Sequence, residues 1–512
     1  MAEPDSLIDS LLEIRRAVLD AEVEFDDLIQ KVHPNYRYNA KNFVRYLRLR
    51  SFDLRDIQEK LSLLGLSSIS HSERHVLANL ENILYYLHLI KGAHFQGKYT
   101  LGNHPVNFVE SKNALRRNAC RLFKSDDRTL HTHIMVTLPT EAIEYSVVKG
   151  LVDAGMEIAR INCSHDDISV WSKMVENIKK ARRDTGKSCS IYVDLAGPKL
   201  RTGEVIQVKK PHKKMRDYIL LMTNDILLVH KAPIWGRDAI RDKKGKIIQP
   251  AAISISIPEV FDTIEAGHNI WFDDGAIWGV VKSKNDQLIE VVIKHANPKG
   301  SKLRSAKGIN LPDTNLQFNG LTGDDISLLP FVVEDADMVG LSFVRYPSDV
   351  ADLQQRLQEL GGDEVGIILK IENRDAFEHL PSLLLQAMQS PNIGVMTARG
   401  DLAVEIGAER LSEVQEEIMW LCEAALIPNI WATQVLENMA KKGIITRAEI
   451  TDAAMSGRTE CVMLNKGKYI ESAVRTLVNI LHRMGKNQVK QEGTMRKLGV
   501  VDAFLKKAKL PR

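Results

Sequence analysis

The sequence predicts an α/β protein: a parallel (β/α)8 barrel of the TIM type, carrying an inserted β-rich lid domain and preceded by an N-terminal helical domain. Three observations predict it. From about residue 133, short β-rich apolar runs alternate with helical patterns, the texture of βα units and a parallel sheet. Eight such runs occur, a number that favours a closed barrel over an open sheet. Polar and charged residues gather at the predicted C-terminal ends of these runs, the face on which such barrels place their chemistry.

The bulk composition excludes several classes. With 512 residues, 44% hydrophobic and 26% charged, the chain is ordinary in globular terms and long enough for two to four domains. The balance of 69 basic against 66 acidic residues gives no general attraction to nucleic acid or to a membrane. Its first residues, Met1 to Asp5, lack the pattern of a signal peptide, and no apolar run is long enough to span a bilayer, so a soluble cytoplasmic protein is expected. Cys120, Cys163, Cys189, Cys422 and Cys461 have no CxxC spacing and read as reduced, mostly buried thiols.

Residues 1–92 read as a helical domain or docking arm, because Phe43, Tyr46, Leu47, Ile57, Leu61, Val76, Leu80, Ile83 and Leu87 fall at helical spacing. Arg45, Arg48, Arg50 and Arg55 within it read as a solvated face. Residues 93–132 read as a linker. The first part of the barrel spans 133–203, with strands at 134–138, 158–162 and 190–195; the second spans 308–484, with strands at 338–343, 366–371, 393–397, 429–432 and 460–464. Between them, 204–307 holds β-rich runs separated by Lys, Gly, Pro and Asn, and is expected to be an inserted lid domain. The basic tail 485–512 reads as a short helix packed on the body.

The strand ending in Lys370-Ile371-Glu372 organises the candidate site. Strand side chains alternate, so the lysine and the glutamate leave the same face. Arg160 to His165, Asp194 to Gly203, Ala398 to Asp401 and Thr433-Gln434 sit at four other strand ends. Glu372 and Asp401 are the carboxylate type that holds Mg2+, which keeps several waters, and no matching His or Cys cluster points to zinc. Alone, these two with Lys370 and Arg399 would read as a pair of strand-end salt bridges. Gly400-Asp401 opens a short helix whose free N–H groups suit an anion, though an unliganded glycine turn is as ordinary an outcome.

Residues 133–484 resemble the pyruvate kinase family. The blocks Ala154-Gly-Met-Glu-Ile-Ala-Arg-Ile-Asn-Cys-Ser-His165, Gly197-Pro-Lys-Leu-Arg-Thr-Gly203, Asp273-Asp-Gly275, Lys307-Gly-Ile-Asn-Leu-Pro312, Lys370-Ile-Glu-Asn373, Ala398-Arg-Gly-Asp-Leu402, Ala432-Thr-Gln434 and Thr446-Arg-Ala-Glu449 occur in the family's order. The resemblance implies Mg2+-dependent (or Mn2+-dependent) phosphoryl transfer from phosphoenolpyruvate to ADP, giving pyruvate and ATP. It makes Arg160 and Lys370 the cations beside the transferring group, Glu372 and Asp401 the metal ligands, and Gly400 with Asp401 the backbone that holds the substrate carboxylate. Thr433 would lie beside the methylene carbon, and Asn162, Ser164, His165, Arg201 and Lys307 would contact the nucleotide side.

The pattern departs from the family in four places. Asn162, Ser164 and Asp194 match the family's potassium ligands, but Leu195 stands for a threonine and Lys199 for a glutamate, so K+-independent activity is expected, with the Lys199 ammonium in place of the ion. The loop after the last strand is shortened at Asn465, and the opening block Val136 to Thr140 is altered near the nucleotide. The family's C-terminal effector domain is expected to be absent, which leaves a homo-oligomer open. Two other readings stand beside the first: another Mg2+ enolate reaction on a 2-oxo acid, and a weakly catalytic binding or scaffold protein partnered through the helical domain. Retention of Lys370, Glu372, Asp401, Arg160 and Thr433 argues against the last.

Overall fold

The computed structural model describes residues 4–98, 106–125, 132–206, 217–316 and 318–485, with two short strands at 488–489 and 492–493. Eight parallel strands close a barrel: β1 (His133–Thr137), β2 (Ile158–Asn162), β3 (Ser190–Asp194), β4 (Met338–Leu341), β5 (Gly366–Ile371), β6 (Ile393–Ala398), β7 (Asn429–Ala432) and β8 (Cys461–Leu464). Closure follows from β1 pairing with both β2 and β8. Nearly every strand residue is buried, because helices cover the outside and side chains fill the inside; hence the near-continuous apolar runs. β4 stops two residues before the expected end, since Phe343 turns into the left-handed region at φ 55°.

The expected linker 93–132 instead contains a helix, Phe108–Phe123, capped by Asn107, whose side chain accepts from Val109 N and Glu110 N at 3.0 and 2.9 Å. This helix closes the N-terminal mouth of the barrel. Ala119, Leu122 and Phe123 pack with Met135, Ile158, Tyr192, Met338, Ile368 and Met396 from six strands. Gly366 and Gly394 make room for it: a Cβ on either would stand 2.7 or 2.6 Å from a Leu122 methyl group. The segment reads as polar because only one narrow face, Leu115, Ala119, Leu122 and Phe123, is buried and apolar.

The N-terminal helices Pro4–Glu24, Arg37–Leu49, Arg55–Leu63 and Val76–Ile90 share one continuous core with the barrel helices. Polar contacts fix the docking. Asn42 Nδ2 donates to Ala424 O at 2.9 Å, His33 N to Met388 O at 2.8 Å, and Arg74 pairs with the buried Glu423 at 3.4 Å. The arginines expected on a solvated face divide: Arg45 is buried against Glu22 at 2.7 Å, and Arg55 stays exposed.

Between β3 and β4 the chain builds a separate six-stranded sheet, ordered 309–310, 269–272, 277–284, 288–295, 226–230 and 251–254. It has its own core around Ile219, Leu227, Phe272 and Ile293. Its outgoing and returning chains lie side by side, bridged at Arg201 to Gly308, and Thr202 N donates to Lys307 O at 2.8 Å, so two adjacent chain segments form the attachment. The expected C-terminal helix falls largely on residues outside those described. No helix among the described residues is long and apolar enough to cross a membrane.

Leu122→Ala removes the side chain that fills the space over Gly366 and Gly394. It is expected to lower unfolding free energy by about 2–5 kcal/mol. Urea denaturation reads this directly, and a loss no larger than that of a surface substitution would show that the plug does not support the barrel.

Candidate active site

Lys370 and Glu372 leave β5 together, as period-two alternation requires, and meet: Lys370 Nζ lies 3.2 Å from Glu372 Oε1. The same ammonium lies 3.1 Å from Asp194 Oδ1 and donates to Ser342 Oγ at 2.7 Å. Arg160 reaches across from β2, its Nε at 2.8 Å and Nη2 at 2.5 Å from Asp194 Oδ2, while Nη1 donates to Thr137 Oγ1 at 2.7 Å. Asp194 is thus divided between two cations, one per oxygen, and Tyr192 OH donates to Oδ1 at 3.2 Å. All four charged groups are buried.

Burial would raise the Asp194 carboxyl, but Lys370 and then Arg160 outweigh it and hold it below its ordinary value. Burial would likewise discharge Lys370; Asp194 and Glu372 outweigh it and keep the ammonium charged. Glu372 goes the other way. Burial raises it, Lys370 opposes, and the charges of Asp401 and Asp194 raise it further.

The helix Arg399–Ile406 begins directly after β6 and points its N-terminal end at the same face. Asp401 there is held by Lys199, whose Nζ lies 2.8 and 3.1 Å from its two oxygens, with Asp274 of the insert 3.9 Å away. Gly400 faces Thr433: a Cβ added at Gly400 would stand 3.7–3.8 Å from three Thr433 atoms. The Thr433 hydroxyl is buried without a hydrogen-bond partner, and Thr433 and Gln434 both have positive φ, 67° and 58°. Arg399 holds this strained turn, donating to Ala432 O at 2.9 Å and Thr433 O at 2.6 Å, stacking on Trp431 and pairing with Asp452.

The remaining candidates fall into two groups. Asn162 lies opposite Asp194 in the β2 to β3 register, and its side chain accepts from Ser164 N at 3.2 Å, so Asn162, Ser164, Asp194 and the buried Leu195 form one corner. His165 follows, its imidazole held below its ordinary value by burial and by Lys466. Arg201 and Lys307 meet at the insert attachment, where Arg201 donates to Ala306 O at 3.2 Å and Lys307 pairs with Asp273 at 2.7 Å. The shortened loop delivers Asn465 to within 3.4 Å of Thr137 Oγ1, beside the Arg160 network.

Among the described residues no cluster of three or more His, Cys, Asp or Glu is suited to a metal ion. Glu372 and Asp401 are the carboxylate type a hard divalent cation takes, and the charge of Asp401 raises Glu372, a repulsion that a shared cation relieves. In this structure the ammoniums of Lys370 and Lys199 stand on them at 3.2 and 2.8 Å, so such an ion would displace those contacts.

Sequence reasoning missed Ser342, Thr137 and Glu405. The first two are ordinary hydroxyls that matter only through their partners. Glu405, four residues after Asp401, accepts from Asn310 Nδ2 of the insert at 2.9 Å. Burial pushes its carboxyl up to about 7; Asn310 and Arg345 oppose this, and Asp401 and Asp375 add to it. Asn310 Oδ1 is buried without a partner, and a protonated Glu405 has a hydroxyl to donate to it. The only sequence signal was a glutamate at helical spacing from Asp401.

A cation pair and two carboxylates at the C-terminal face, beside a helix N-terminus and under a β insert, define a barrel of the enzyme type, with its charged groups gathered on the face where such barrels place their chemistry. Residues 129–474 match the family described as pyruvate kinase, barrel domain. The pyruvate kinase of Bacillus licheniformis is 32% identical over 69% of this chain and 57% of its own length. That of Staphylococcus saprophyticus is 31% identical over 68% and 56%, and that of Thermotoga maritima 30% over 63% and 63%. The chain belongs to the pyruvate kinase family. It spans little more than half the length of the first two of these relatives.

The raised Glu405 carboxyl binds its proton more tightly in the folded protein than in the unfolded chain. Its contribution is therefore full below the ordinary glutamate range and lost as pH rises through about 7. In metal-free protein, Glu405→Gln is expected to gain roughly 2 kcal/mol of stability relative to the parent between pH 5 and pH 8. Urea unfolding at both values checks it; a difference that does not change with pH would count against the assignment.

Proposed function

We propose that the chain transfers the phosphoryl group of phosphoenolpyruvate to ADP with a divalent cation, giving pyruvate and ATP. The observation that carries this reading is the Asp194-centred cluster, which holds Lys370 and Arg160 charged, buried and pointed at one corner. A loose phosphoryl-transfer transition state needs alignment and fixed positive charge rather than a protein nucleophile, and two cations immobilised by one carboxylate supply both.

In this reading Gly400 and Asp401 present backbone N–H groups to the substrate carboxylate at the helix N-terminus. Lys370 and Arg160 flank the phosphoryl group. Glu372 and Asp401 hold Mg2+ or Mn2+, which supplies Lewis-acid charge to phosphoryl and enol oxygens when bound. The Thr433 hydroxyl, buried without a partner, would lie beside the methylene carbon that gains a proton. Asn162, Ser164, His165, Arg201 and Lys307 serve the nucleotide side, and the insert closes over them to exclude water.

Potassium independence has separate support. Both oxygens of Asp194 are already occupied by protein cations and hydroxyls, and Leu195 fills the neighbouring position with an apolar side chain. The Lys199 ammonium, expected in place of the ion, instead stands on Asp401 at 2.8 Å, so this support rests on Asp194 and Leu195.

Lys370→Met is expected to lower phosphoryl transfer by about 10²–10³-fold or more, with circular dichroism retained. A coupled assay of pyruvate formation measures it, and near-parental turnover would remove Lys370 from the reaction. Replacing K+ by tetramethylammonium in the same assay is expected to leave the rate unchanged. A large loss would show that the monovalent ion is still needed.

A further inference from the structure

A cavity of about 730 Å³ adjoins the candidate site and does not lie over Lys370 and Arg160. It is lined by Gly400 and Thr433, by Trp271 of the insert, and by Ala403, Val404 and Ala448. Lys370, Arg160 and Glu372 do not line it, so this space is additional to the phosphoryl corner. Its volume falls within the roughly 300–1,000 Å³ of pockets that enclose drug-sized ligands, more than a three-carbon acid fills.

Trp271, Ala403, Val404, Leu411 and Ala448 supply its apolar wall. Trp271 stacks on Trp278 with ring centroids 5.4 Å apart and planes 17° from parallel, and Trp278 Nε1 is tied to Asn269 Oδ1 at 2.8 Å. The stack and this hydrogen bond hold Trp271 as a preformed aromatic wall. Gly275 lies between that wall and the barrel: a Cβ there would stand 3.3 Å from Val404 and 4.0 Å from Trp271. Of its polar groups, Asp452 is engaged by Arg399 and Glu449 by the cap of its own helix, while Asp274, Glu409 and Gln434 are exposed and keep their polar ends in water. What the cavity offers a ligand beside Thr433 is therefore mainly apolar contact.

We propose that this cavity takes an apolar substituent on C3 of the substrate, extending the range to enol phosphates of longer 2-oxo acids. This rests on the phosphoryl-transfer reading, because that reading puts the methylene carbon beside Thr433. The balance is unchanged from the three-carbon case. The bond from phosphorus to the enol oxygen breaks, one forms from phosphorus to a terminal oxygen of ADP, and C3 gains a proton from solvent. Trp271, Ala403, Val404 and Ala448 set the length and width of the substituent.

The test compares ATP formation from phosphoenolpyruvate with that from the enol phosphates of 2-oxobutyrate, 2-oxopentanoate and 2-oxo-4-phenylbutyrate. Each methylene buried in the cavity can contribute up to about fourfold to kcat/KM, so the longer substrates are expected to stay within about tenfold of phosphoenolpyruvate. Ala448→Leu narrows the cavity from the exposed start of the helix Arg447–Met455. It is expected to lower the phenyl substrate by about tenfold or more while sparing phosphoenolpyruvate. Turnover of phosphoenolpyruvate with a loss beyond about a hundredfold for every longer substrate would overturn the proposal. If no substrate yields ATP, the phosphoryl-transfer reading fails on its own, and quenching of tryptophan fluorescence decides the cavity. Tighter binding of 2-oxo-4-phenylbutyrate than of pyruvate, abolished by Ala448→Leu, sustains it; equal binding or none overturns it.

Discussion

Asp194 is the carboxylate on which the site depends. It lies at the end of β3, is almost wholly buried, and would be expensive to keep charged without partners. Lys370 from β5 and Arg160 from β2 provide them, one at each oxygen, while Ser342 donates to Leu195 O at 2.6 Å and accepts from Lys370. The closed barrel makes this geometry rigid. β2 and β3 are hydrogen-bonded neighbours, β4 lies between β3 and β5, and the register fixes how far each side chain must reach. Removing one member leaves the others buried and unmatched, so the cluster is both a structural joint and an electrostatic device.

The barrel strands were legible because a strand buried on both faces must be apolar, and eight such runs leave little choice of architecture. Lys370 and Glu372 were legible as a pair for an equally local reason, the alternation of side chains along β5. The partnership with Asp194 and Ser342 was not, since 176 and 28 residues separate them from Lys370 and only closure brings them together.

The helix Phe108–Phe123 was mistaken for a linker because it buries one narrow stripe under the barrel, while the rest of its surface is polar or charged. Glu405 escaped for a different reason. Its raised carboxyl comes from burial and from the charges of Asp401 and Asp375, against the opposing Asn310 hydrogen bond, and no single stretch of sequence displays these together. Lys199 shows the limit of resemblance: the substitution was visible, but its ammonium binds Asp401, a contact across 202 residues of chain.

The side-by-side attachment of the β insert bears on how the barrel assembles. β3 and β4 are neighbours in the sheet, yet the whole insert separates them in the chain. Closing a flexible loop of that length would carry an entropic penalty that grows with the logarithm of its size. Once the insert has formed its own core and bridged Arg201 to Gly308, the two barrel segments emerge from adjacent strands. The effective loop then shrinks to residues 195–200 and 309–337, the latter including the helix Gly323–Asp335. An insert that folds early therefore acts as a splint for nucleation, shortening the search by which the two parts of the barrel find each other.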